Sequence, residues 1–170
     1  MPIMYDASVP VLIHKLGCLK HIVQTGAKHV AENVLDEATL INYRLYPDML
    51  PFRAQINIPT DILCGMTARI TGHDRLTLDD NTDSFDALIA RIDSVIRHLK
   101  SQDPSDYEGA EDKTIELKTP LGELKFKGLD YLHHFVFPNL YFHITTAYNI
   151  LRHNGVKLGK ADYIRGPQST

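Results

Sequence analysis

The chain has 170 residues, with 18 basic and 21 acidic side chains, nine histidines, two cysteines and no tryptophan. An apolar fraction of 44% suits one packed core and excludes long disorder, collagen-like repeats and a disulfide scaffold. The net charge of -3, with no long basic run, argues against a surface that tracks nucleic-acid phosphates.

The length points to a single domain over residues 1–170. The first residues contain Asp6, lack a basic start and never give the roughly 7–15-residue apolar stretch of a signal peptide. No apolar run reaches the length of about 18 residues that a membrane span needs. Cys18 and Cys64 lie far apart with no CxxC or Cys/His zinc spacing, which reads as two structural thiols in a reduced compartment. The expectation is a cytoplasmic protein with neither a membrane nor a nucleic acid as partner.

Helical periodicity dominates the chain. Val9, Leu12, Leu16, Leu19, Val23, Gly26 and Val30 recur at alternating three- and four-residue steps, the stripe of a long amphipathic helix. His14, His21 and Lys28 fall seven apart on its other face and read as solvated side chains, since two histidine ligands on one helix sit at i and i+4. A loop from Asp36 to Pro51 follows, carrying Tyr43, Arg44, Tyr46 and Pro47. Phe52, Ile56, Pro59, Leu63, Met66 and Ile70 then predict a second helix over about Phe52–Arg69 that stops near Gly72. Pro59 either kinks that helix and frees the Gln55 carbonyl, or begins a shorter one.

A third helix is predicted from a cap at Asp83 or Ser84, with Phe85, Leu88, Ile92, Val95 and Leu99 as its core stripe and a stop near Ser101. The polar segment Gln102 to Asp112 is a connector. Ile115, Leu117, Leu124 and Phe126 alternate around Thr119-Pro120-Leu121-Gly122, which predicts a β-hairpin. A fourth helix runs from Leu129 through Leu132, Val136, Leu140, Ile144, Ala147 and Leu151 to Asn154-Gly155, kinked at Pro138. Val156 to Thr170 is a tail whose Leu158, Tyr163 and Ile164 can pack back. The expected fold is all-α, a four-helix bundle with a small hairpin before the last helix.

Bundles build sites from polar side chains that interrupt inward stripes. On the fourth helix, Asn139, His143 and Thr146 follow at i, i+4 and i+7 beside Val136, Leu140 and Ala147. An imidazole there needs a partner, because burying it unpaired costs about 1–3 kcal/mol. It is either a satisfied core histidine or a group facing a ligand. His133-His134 and His73-Asp74 are sequence neighbours that point apart on regular structure, so neither reads as a dyad. Gly155-Val156-Lys157-Leu158-Gly159-Lys160-Ala161 fails as a phosphate loop: it has one residue too few between its glycines, ends in Ala161 and follows a helix. Hydrolase and zincin motifs are absent.

The run Pro138-Asn139-Leu140-Tyr141-Phe142-His143 through Asn154-Gly155-Val156, with Leu158-Gly159-Lys160 after it, resembles an uncharacterised domain family of the DinB/YfiT-like superfamily of metalloenzyme-type bundles. The Met4-Tyr5 start, the long first helix, the helix from Phe52 to Gly72, the hairpin and Tyr131-Leu132 fall in family order. The resemblance implies a DinB-like four-helix bundle, a homodimer, and relatives that include thiol transferases and isomerases. It also implies a divalent metal on three histidines, one from the second helix and two at i and i+4 on the last. Those positions fall near Gln55 and on Asn139 and His143, so only one imidazole remains and a metal-free pocket is favoured.

Three readings follow. In the first, an enzyme of isomerase, lyase or transferase type, working without a cofactor, uses His143 as general acid or base on a small organic molecule held inside the bundle. Asn139 and Gln55 would bind a carbonyl or enolate, and Thr146 or Tyr148 would orient the group. In the second, the bundle binds a ligand without chemistry or is purely structural, its polar residues satisfying one another. A third keeps the metal, with His143 joined by carboxylates.

Overall fold

In a computed structural model, residues 2–119 and 122–166 are described. Helix α1 (Ile3–Asn33) carries the predicted stripe, with Leu12, Leu16, Leu19 and Val23 fully buried. It starts ahead of Val9 because Met4 extends the buried stripe backward, and it runs through Pro10. It stops at Val34, which takes the left-handed conformation (φ 52°) with its side chain in solvent. A β-branched residue is strained there, and with no glycine at this position the sequence does not mark the end of the helix.

The expected loop from Asp36 to Pro51 contains a short helix, α2 (Glu37–Ile41). Asp36 caps it through the Thr39 N–H, and Glu37 Oε1 accepts the N–H of Phe85 at 2.6 Å, tying α2 to the start of the later bundle helix that begins at Phe85. Such a one-turn helix is too short to show a period, and it forms because Leu40 and Ile41 bury their side chains. In the rest of the loop Tyr43 meets the His153 ring, Arg44 bonds the Met49 carbonyl and Tyr46 stays exposed.

Helix α3 (Phe52–Thr71) is continuous through Pro59, so that residue does not begin a shorter helix, and Gly72 ends it with φ 83°. Helix α4 (Phe85–Lys100) is capped by Ser84, whose hydroxyl accepts the Ala87 N–H, and its five predicted stripe residues are buried. A 3-10 turn at Pro104–Tyr107 leads to strands β1 (Thr114–Thr119) and β2 (Gly122–Lys127), antiparallel with Ile115 opposite Phe126 and Leu117 opposite Leu124. Pro120 and Leu121 of the predicted turn lie outside the described residues.

The fourth bundle helix has three parts: α5 (Gly128–Tyr131), a π turn (Leu132–Val136) and α6 (Phe137–His153). The irregularity expected at Pro138 sits just upstream of it. Proline offers no N–H and crowds the carbonyl four residues back, and a wider turn ahead of it relieves both effects. In that turn the Phe137 N–H reaches back to the Leu132 carbonyl. Helix α1 packs along α4, and α3 lies between α4 and α6, so the bundle core forms among α1, α3, α4 and α6. The molecule is thus a mostly helical bundle with one small hairpin, as the sequence predicts.

The tail is not irregular throughout. A short helix, α7 (Lys160–Arg165), packs on α1 and covers the face that carries His14 and His21. His21 is therefore half-buried and bonds Asp162 at 2.9 Å, while His14 bonds the Ile164 carbonyl at 2.8 Å. The solvated reading is corrected for His21 by this packing, which local periodicity on α1 could not reveal, while His14 stays exposed as expected. No helix of the described residues is long and apolar enough to cross a membrane.

Candidate functional site

Antiparallel packing of α3 on α6 brings the first turn of one helix against the middle of the other, and it places Gln55 beside His143. Both are buried, with 2% and 7% of their surfaces exposed. The imidazole Nδ1 and Gln55 Oε1 are 2.8 Å apart, and Gln55 Nε2 donates to the Leu50 carbonyl at 2.9 Å. That second bond fixes the amide: a backbone carbonyl can only accept, so the NH2 end must face Leu50 and the oxygen must face the ring. The ring nitrogen facing an oxygen must then be the donor. His143 is accordingly held as the Nδ1–H tautomer, with the lone pair on Nε2.

Nε2 has no hydrogen-bond partner among the described residues and is not sealed from solvent. Burial pushes the imidazole below its usual pKa because water is lost from the charged form, so the ring is neutral at pH 7. Phe142, largely exposed, places its ring edge-on to the imidazole with centroids 5.3 Å apart. The result is a neutral, oriented base at the edge of the core.

The other candidates distribute unevenly. Thr146 is buried, and its hydroxyl donates to the Phe142 carbonyl on its own helix. Asn139 is half-buried and donates one amide N–H to the Phe135 carbonyl at 2.7 Å, in the region distorted by the π turn. One turn separates it from His143, which puts both side chains on one helix face. Gln55 has both ends of its amide engaged, so it positions the ring. Tyr148 meets Tyr163 of α7, with ring centroids 6.4 Å apart at 77°. Leu50, whose carbonyl anchors the assembly, gave no signal in the sequence because its contribution is backbone.

The donor set does not match a three-imidazole metal centre. Gln55, Asn139 and His143 stand where the resemblance places three histidines, and two of them are neutral amides already bonded to backbone carbonyls. Amide oxygens are poor substitutes for imidazole toward zinc or nickel. Among the described residues no group of three His, Cys, Asp or Glu side chains is arranged to hold a metal ion. The remaining pairs are unremarkable: His73 faces Asp106 rather than Asp74, and His133 stacks on Phe137. Cys18 and Cys64 are free and buried; burial raises both thiols, Cys64 to about 11, which leaves little thiolate.

Comparison with known proteins agrees with the family resemblance and the bundle fold. The family described as a domain of unknown function, DUF1993, matches residues 4–164. A crystal structure of a DinB family member protein from Shewanella denitrificans is similar, with a TM-score of 0.84 and 33% identity over 95% of this chain and 92% of that one. No curated protein matches the sequence.

Proposed function

Since this chain belongs to the DUF1993 family and has the DinB-type bundle, we propose that it performs cofactor-free proton transfer on a small organic molecule, with His143 as general base. The observation that supports the reading is the chain Leu50 carbonyl, Gln55 amide, His143 imidazole, which leaves Nε2 as the free, unprotonated nitrogen. In the reaction Nε2 takes a proton from carbon next to a carbonyl, and the bond pair moves onto the carbonyl oxygen as an enolate. The imidazolium so formed is stabilised through Nδ1–H and Gln55 Oε1, since a charged donor strengthens that bond. Asn139 supplies an N–H toward the enolate oxygen. Return of the proton to a different atom gives isomerisation. Thr146 and Tyr148 orient the surrounding helix rather than the substrate.

A non-catalytic bundle is the second reading, supported by the hydroxyl of Thr146 and one amide N–H of Asn139 being spent on their own helix. We further propose a cytoplasmic homodimer, paired through the face of α6 where Tyr141 and Phe142 are exposed. The deciding experiment is exchange of carbon-bound hydrogen in D2O, followed by proton NMR on pyruvate, acetoacetate and phenylpyruvate. The expected result is accelerated exchange of one of these probes by the native protein, and loss of that acceleration in His143→Gln with its helical circular dichroism intact. Equal exchange by the two proteins, or none by either, removes the catalytic reading.

A further inference from the structure

A second region of the molecule carries ligand chemistry of its own. Where α3 faces the hairpin and the π turn, a cavity of about 260 Å³ opens to solvent. Arg69, Arg75 and Lys118 line it together with a single carboxylate, Asp61. This clustering occurs in a chain whose net charge is -3. Asp61 is already engaged, at 3.1 Å by Arg75 Nη2 and at 2.8 Å by Arg91 Nη2. Arg69 bonds only the Tyr131 hydroxyl, at 3.4 Å, and neither it nor Lys118 has an ion pair among the described residues. The local balance therefore favours an anion.

Two features shape the site. Gly65 lies one turn before Arg69, and a Cβ at position 65 would collide with the Arg69 guanidinium. The glycine thus lets the arginine fold back across α3 into the cavity. The lining also includes the apolar side chains Ile62, Leu117 and Phe135, and Phe135 is held by stacking on Tyr131 with centroids 5.6 Å apart. The volume falls below the range of about 300–1,000 Å³ for drug-sized ligands, so the occupant is small.

We propose that this cavity binds a small organic acid, its carboxylate on Arg69 and Lys118 and its apolar body against Ile62, Leu117 and Phe135. The site stands apart from His143 and holds whether or not that residue transfers a proton. Its test is titration of the 15N-labelled full chain with phenylacetate, phenylacetamide and inorganic phosphate, read as amide shifts. Phenylacetate is expected to give saturable shifts at Gly65, Arg69 and Leu117 and to bind more tightly than either other probe. Arg69→Gln is expected to weaken phenylacetate about tenfold, the value of one charge-assisted hydrogen bond, without changing the melting temperature. If Arg69→Gln fails to fold, the surface variant Lys118→Gln must weaken binding at least about threefold, a smaller share of the same charge-assisted term. Absence of saturable shifts, equal binding of phenylacetamide, tighter binding of phosphate, or undiminished affinity in the variants would each overturn the proposal.

Discussion

Gly128→Ala is expected to destabilise the protein by about 3 kcal/mol or more, the upper end for inserting one methyl into packed structure. Gly128 opens α5 directly after β2, and a Cβ there would fall inside the Ala110 carbonyl oxygen, with the Ala110 carbonyl carbon 2.9 Å away. A flexible side chain could swing aside, but this neighbour is backbone. It is also pinned, because the Ala110 carbonyl accepts the Lys113 N–H and the adjoining Glu111 carbonyl accepts the Leu129 N–H. Relief would require separating the connector from the start of the last bundle helix. Urea denaturation should show the loss, accompanied by a fall in melting temperature of roughly 6–12 °C for a chain of this size. A loss below about 1 kcal/mol would show that the connector moves freely.

The second large effect is expected at Arg91, a charged residue whose side chain is only 2% exposed. Its Nε donates to Thr60 Oγ1 at 2.9 Å, Nη1 to the Asp79 carbonyl at 2.6 Å and Nη2 to Asp61 Oδ2 at 2.8 Å. Arg91→Met keeps the apolar stem but deletes all three bonds, and α4 loses its tie to the segment between α3 and itself. The cost should be about 2–4 kcal/mol, short of the roughly 3–5 for stranding a buried charge. It falls short because Asp61 is 44% exposed and can turn to water or Arg75. For the same reason Asp61→Asn should cost under about 1 kcal/mol. Matching losses in the two variants would mean that the ion pair, rather than the buried hydrogen bonds, holds the segment.

The bundle was legible because its helices repeat one physical rule over many turns. The stripes of α1, α3 and α4, the cap at Ser84 and the hairpin register all follow from periodicity and local hydrogen bonding. Short elements were not legible: α2 and α7 exist through tertiary contacts, and α7 is what turns His21 from a solvated side chain into a partner of Asp162. At the candidate site, the inward direction of His143 follows from its place beside Leu140 and Ala147. The value of Gln55 as a positioning group was hidden, since its geometry depends on a Leu50 carbonyl brought back by the chain. Arg91 did leave a signal: it sits three residues after Leu88 and one before Ile92, a charge inside a core stripe. The basic cavity left none, because Arg69, Arg75 and Lys118 converge from separate segments.

The orientation of the His143 imidazole carries the functional account, and long-range proton–nitrogen correlation spectroscopy of 15N-histidine-labelled protein at pH 7 reads it directly. A neutral ring with hydrogen on Nδ1 and a bare Nε2 is the predicted result, and it should shift toward a mixture of tautomers in Gln55→Ala. A ring that carries its hydrogen on Nε2, or one that is charged at this pH, would contradict the account, because the nitrogen free to accept a proton would already hold one.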